Sequence, residues 1–143
     1  MSKYQGIFLV TLRVAMGWLF FHAGIVKILN PNWSAAGYLN NAKNLEGFYH
    51  WLATPTLLPI TNFVNEWALT LLGAALILGI FVRFAAPLGA LLMIFYYLPL
   101  SFPKPDANSY IVDDHLIYAI VLLYLGAVNA GKIWGLDGYK HKK

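Results

Sequence analysis

The sequence predicts an all-α integral membrane protein: a four-transmembrane-helix bundle with an amphipathic helix in the first extracytoplasmic loop. Three observations carry this. Of 143 residues, 59% are hydrophobic and only 11% are charged, whereas ordinary soluble domains carry about 25% charged residues. The mean hydropathy is +0.60. The apolar residues also fall in long runs, four of which reach the roughly 20 residues that cross a bilayer. One compact domain accounts for the whole length.

The first run covers residues 7–29 and stops at Asn30-Pro31, because a proline ring bars helical geometry at the residue before it. Within it, LRVAMGWLFFHAGIVKIL carries Arg13, His22 and Lys27. A charged side chain at the centre of a membrane helix costs about 2.5–3.5 kcal/mol, so these groups need partners or a wet cavity. At about 100° per residue, Arg13, Gly17, Phe20, Gly24 and Lys27 share one stripe. Its small residues let another helix approach closely. Arg13 is therefore expected to face the bundle and Lys27 to reach the outer mouth. His22 lies half a turn away, toward another neighbour or the headgroups.

The connection over 31–61 is long for a compact domain, and such loops carry structure or function. Tyr38, Ala42, Leu45, Tyr49 and Leu52 recur at helical spacing, with Asn40, Asn41, Lys43, Asn44 and Glu46 off that face. This predicts one amphipathic helix over 34–53, lying on the outer membrane surface. Trp33, Tyr49 and Trp51 suit the interfacial belt. The helix either caps the bundle or shapes a substrate entrance.

The second run covers 62–82, with Asn62 or Thr61 as N-cap. Glu66, Thr70, Gly73 and Ile77 share a face. The third covers 84–102, with Pro87 in its first turn, where a missing N–H is tolerated. A tight turn at Arg83 makes these two antiparallel neighbours. The fourth covers 109–131, capped by Asn108 or Ser109, with His115, Ala119, Leu122 and Gly126 on an inward stripe.

The positive-inside rule sets orientation. Lys3, Arg83, Lys132, Lys140, Lys142 and Lys143 fall on one side, and Lys27, Lys43 and Lys104 on the other. Glu46, Asp106, Asp113 and Asp114 join the second group. The expected location is the cell membrane, with both termini cytoplasmic. The first run is too long for a cleavable signal, and no A-x-A site follows it. The net charge of +4 comes from basic residues near membrane ends, so no nucleic-acid partner is expected. The absence of cysteine excludes disulfides, thiolate nucleophiles and protein-ligated iron–sulfur clusters.

By this topology His22, Lys27, Glu66, Asp113, Asp114 and His115 gather at the outer end, and Arg13 lies deeper. Carboxylates near helix N-termini also favour the positive dipole end, and Lys27 can snorkel. The candidate catalytic residues are Glu66, His115 and Arg13. Glu66 lies on a Gly-bearing face just inside the outer end, His115 on an inward stripe, and Arg13 too deep for easy snorkelling. The candidate substrate-binding residues are Lys27, His22, Asp114 and Trp67. Lys27 lies at the outer mouth. No flavin or nicotinamide motif is present. Nothing in the spacing demands a haem between His22 and His115, or a metal on Glu66, Asp114 and His115.

The spacing R-x-x-x-G-x-x-x-F-x-x-G-x-x-K stands as Arg13, Gly17, Phe21, Gly24 and Lys27. NPNWSAAGYL, NEWALTLLGAALILGIFVRFAA and DDHLIYAIVLLYLGAVNAGKIWGLDGY follow in that order. This order resembles the DoxX-like family of small four-span membrane proteins, from about Tyr4 to Tyr139. WSAAGYL and NEWALTLLG are most similar to the DoxD branch, which includes a subunit of thiosulfate:quinone oxidoreductase. The resemblance implies a four-helix membrane bundle that passes electrons from a sulfur compound such as thiosulfate to the quinone pool. Quinone is then the acceptor, and a DoxA-like second redox subunit is a partner. On that implied reading, Lys27 supplies charge at the mouth, Arg13 is a bidentate donor, Glu66 and His115, on facing helices, relay protons near neutral pH, and Trp67, Tyr96 and Tyr97 offer flat contacts for the ring. Two alternatives belong to other classes: a non-catalytic anchor or assembly subunit of a redox complex, and a small-molecule or lipid-binding membrane protein. Four spans leave little room for a transporter's inverted repeats unless copies associate as a homo-oligomer.

Overall fold

The computed structural model describes residues 2–101 and 110–139. Among these the elements are α1 (Lys3–Ile28), α2 (Ala36–Asn40), α3 (Glu46–Leu52), α4 (Leu58–Leu78), α5 (Val82–Tyr97), α6 (Asp114–Ala127), a 3-10 turn (Ala130–Lys132) and α7 (Leu136–Tyr139). A capping box opens α1: the Ser2 hydroxyl accepts from the Gln5 N–H, and the Gln5 side chain accepts from the Ser2 N–H. The long helices alternate in direction. Packing is closest between α1 and α4 and between α5 and α6, with α4 against α5 joining the pairs.

Glycines make the α1–α4 contact. A Cβ placed on Gly73 would lie 2.3 Å from the Phe21 nitrogen, and one on Gly24 would lie 2.6 Å from the Thr70 nitrogen. The two backbones touch there, as small residues permit. Arg13, Gly17, Phe20 and Gly24 are buried together, as their spacing predicts. Phe20, Leu76, Leu122 and Leu125 form the centre of the core.

The exterior is the inverse of a water-soluble bundle. Helices α1 and α4 are long and apolar enough to cross a bilayer, yet only 33% and 22% of the residues in their apolar windows are buried. Phe8, Trp18, Leu71, Leu88 and Ile120 all face outward. Among the described residues the buried polar side chains are Arg13 and Thr70. Lipid is the solvent that suits such a surface.

Several elements differ from the sequence reading. Helix α4 begins at Leu58, so Asn62 is not its cap; Pro59 occupies the first turn, where its missing N–H costs nothing. The Asn62 side chain instead accepts from the Ala35 N–H at 2.9 Å and ties the loop to α4. The turn into α5 runs through Gly79 and Phe81, both left-handed, and Arg83 lies inside α5. Pro87 therefore falls in the second turn. Helices α5 and α6 have 16 and 14 residues. That is about 24 and 21 Å at 1.5 Å per residue, short of the roughly 30 Å hydrocarbon core. Two described helices, not four, reach spanning length.

The single helix expected over 34–53 is two short ones. Lys43 N–H donates to the Pro99 carbonyl at 2.8 Å, and the Asn44 amide donates to the Leu100 carbonyl. These bonds pull the chain out of helical geometry, and Leu45 turns left-handed with φ 53° and faces out. Leu39, Ala42 and Tyr49 are buried instead. The expected caps Asn108 and Ser109 lie outside the described residues, as do Phe102, Lys104, Asp106, Lys140, Lys142 and Lys143. Asp113 caps α6, accepting from the Leu116 N–H at 3.1 Å.

At the α1 N-terminal end, residues 130–137 are stitched to the bundle. Arg13 is 1% exposed and donates through Nη1 to the carbonyls of Ala130 (2.7 Å) and Ile133 (3.0 Å). The Asp137 carboxylate accepts from the N–H groups of Phe81 (2.8 Å) and Val82 (3.0 Å), capping α5 from 55 residues away.

Candidate functional site: a chamber beside Lys27

At the other end of the bundle, a cavity of about 520 Å³ opens between α1, the α2–α3 segment, α4 and α5. That volume is ordinary for a small-molecule site. Leu39, Phe48, Val64, Leu92 and Phe95 make apolar walls. Among the polar side chains of the lining, Ser34, Tyr38, Tyr49 and Thr61 bond to backbone groups or to Asn62, and Lys27, Asn65 and Tyr96 bond to one another. Lys27 Nζ donates to Asn65 Oδ1 and to Tyr96 Oη, each at 2.8 Å. Asn65 Nδ2 donates to Tyr96 Oη at 2.5 Å. The ammonium also sits 4.7 Å from the Trp33 ring centroid and 5.3 Å from that of Tyr96, a cation–π arrangement. Lys27 lies in the last turn of α1, where the helix dipole favours a cation.

His115 stands behind this cluster. Its ring stacks on Tyr96 with centroids 5.8 Å apart and planes 17° apart. His115 Nδ1 is 2.8 Å from Asp113 Oδ2. Asp113 therefore caps α6 and orients the imidazole at once.

The α2–α3 segment roofs the chamber. The hydroxyl of Tyr38 donates to the Tyr96 carbonyl, and that of Tyr49 to the Phe95 carbonyl at 2.9 Å. These carbonyls belong to the last turn of α5, where a helix leaves acceptors unpaired. Burial holds the Tyr38 phenol well above its ordinary pKa, with Tyr49, Tyr96 and Asp113 adding to the effect, and burial raises Tyr49 as well. Both phenols stay protonated and keep donating.

The structure thus brings Lys27 to the hydroxyl and His115 to the ring face of Tyr96, and it disperses the other candidates. Glu66 is half-buried next to Asn65 and is not part of the lining. Helices α4 and α6 each pack on α5, and no hydrogen bond or ion pair joins Glu66 to His115 among the described residues. The carboxylate that holds His115 is Asp113. Asp114 is exposed in the first turn of α6. Trp67 is exposed with its ring tilted against Phe63, and His22 is exposed beside Trp18. Arg13 sits at the far end on backbone carbonyls. Among the described residues, no three His, Asp or Glu side chains gather to hold a metal ion. Sequence reasoning passed over Asn65 and the Tyr96 hydroxyl, which are neutral groups with no charge to mark them.

A family model described as DoxX matches residues 8–100. That span includes Lys27, Asn65 and Tyr96, whereas Asp113, His115 and the carbonyl partners of Arg13 lie beyond it. No curated protein and no solved structure matches the chain.

Proposed function

The chain belongs to the DoxX family, and from that premise we propose that it is a four-span membrane protein that binds a quinone in the Lys27 chamber and passes electrons to it from a sulfur compound. One observation carries the reading: a mostly apolar chamber holds three polar side chains bonded to one another, Lys27, Asn65 and Tyr96. A quinone is a flat apolar ring with oxygens at its edge, and it reaches such a site sideways from the bilayer. Reduction takes two electrons and two protons. His115, stacked on Tyr96 and oriented by Asp113, is suited to supply protons near neutral pH. Glu66 contributes a negative charge that acts on Lys27.

Two thiosulfates that couple to tetrathionate release two electrons. A dianion is a poor guest for the apolar walls, and Lys27 is the cation among the lining residues. The oxidation therefore belongs outside the chamber, either at the outer mouth of this chain or on a DoxA-like partner subunit. For α5 and α6 to span, flanking apolar turns and local thinning of the bilayer make up the missing length. With both termini cytoplasmic, the chamber opens near the outer face.

The test is quinone reduction, driven by thiosulfate, by the protein in lipid nanodiscs. His115→Ala should lower turnover by about 10²-fold or more, with quinone affinity and dispersity unchanged. A folded wild type that shows no turnover would contradict the self-sufficient oxidoreductase and leave a subunit that needs a partner for the oxidation, or an anchor or assembly subunit.

A further inference from the structure

The hydrogen bonds of the polar cluster can be assigned atom by atom. An ammonium only donates, so the Asn65 atom facing Lys27 at 2.8 Å must be the oxygen. The amide nitrogen then faces Tyr96 and donates to its hydroxyl oxygen at 2.5 Å. Lys27 donates to the same oxygen at 2.8 Å. The Tyr96 oxygen thus accepts twice, from two groups that have no other orientation available. Its own proton must point elsewhere, and the described residues give it no acceptor. Lys27 has three N–H groups, of which two are used on Asn65 and Tyr96. The third also lacks an oxygen or nitrogen partner among the described residues. Both residues line the chamber.

Resting on the ligand reading above, we propose that the Tyr96 O–H and the third Lys27 N–H are paired donors that grip one acceptor oxygen of the ligand. The chamber then selects lipophilic molecules that carry a carbonyl at the buried end. Asn65 is the positioning residue, since it fixes which way the Tyr96 proton faces. Tyr38, which donates to the Tyr96 carbonyl and meets its ring edge-on at 5.7 Å, holds the ring in place.

Two probes separate the grip from the chamber: a decyl-substituted benzoquinone, and the same decyl-bearing ring with methyl groups in place of the oxygens. Binding to nanodisc-embedded protein is read by quenching of tryptophan fluorescence for the quinone and by competition for the methyl analogue. The wild type should bind the quinone at least about tenfold more tightly than the analogue. Tyr96→Phe, which keeps the stacked ring, should weaken quinone binding about tenfold and leave the analogue unchanged. Lys27→Met should weaken the quinone further. Equal affinity of the wild type for both probes would overturn the grip and leave the chamber as a purely apolar site. Failure of the wild type to bind either probe would overturn the chamber reading and the grip with it.

Discussion

Gly73→Ala should separate α1 from α4 and cost the protein much of its stability. The added methyl would sit 2.3 Å from the Phe21 nitrogen and 2.7 Å from the Gly17 carbonyl oxygen. These are backbone atoms, so no side chain can swing aside, and one whole helix must move. Overpacking of this kind costs about 1–3 kcal/mol or more. The move also reaches the chamber, because Lys27 and Asn65 bond across the same helix pair. The expected result is a markedly lower midpoint of thermal unfolding, aggregation on size exclusion and loss of quinone binding. Gly37→Ala and Gly47→Ala are the controls, since a Cβ at either position meets nothing within 4 Å. Both should stay within about 0.5 kcal/mol of wild type.

Arg13→Met should loosen the opposite end and leave the chamber working. The guanidinium is 1% exposed and satisfies the carbonyls of Ala130 and Ile133. Each buried carbonyl left without a donor costs about 1–3 kcal/mol. Asp137 acts electrostatically on the same guanidinium and anchors the start of α5, so the two charges hold residues 130–137 from both sides. Arg13→Lys should recover only part of the loss, because an ammonium lacks the planar fork that reaches two carbonyls. Limited proteolysis should cut the segment after α6 faster in the variant, with a lower unfolding midpoint. Quinone affinity at the Lys27 end should change little. A folded Arg13→Met protein that has lost quinone binding would instead give Arg13 a role in the site.

This explains how a membrane helix tolerates Arg13, His22 and Lys27. Arg13 is paid with backbone carbonyls, Lys27 with an amide, a phenol and two aromatic rings, and His22 lies exposed beside Trp18. The stripe from Arg13 to Lys27 was legible because helical spacing alone puts those residues on one face. The nearness of Lys27 and His115 was legible from topology, since both fall near the same end of the bundle. The partners were not legible. Arg13 bonds to a carbonyl 117 residues away, and a carbonyl carries no sequence signal. Asn65 and Tyr96 are neutral residues of kinds that ordinarily mark an interface or a packed end. The break after α2 was hidden because it depends on Lys43 and Asn44 finding acceptors beyond α5. The left-handed Leu45 has no side-chain signature either. The shortness of α5 and α6 is invisible to hydropathy, which counts apolar residues whether or not they are helical.

The central claim is that a bilayer-soluble carbonyl compound occupies the chamber through the Lys27 cluster. Photolabelling tests it most directly: a quinone with a photoreactive tail is irradiated with the nanodisc-embedded wild type and with Lys27→Met, and the adducts are mapped by peptide mass. The account predicts adducts on the chamber walls, at Phe48, Val64, Leu92 or Phe95, that are competed by unlabelled quinone and lost in Lys27→Met. Adducts confined to outward-facing residues such as Trp18 or Leu71, and unchanged in Lys27→Met, would contradict it.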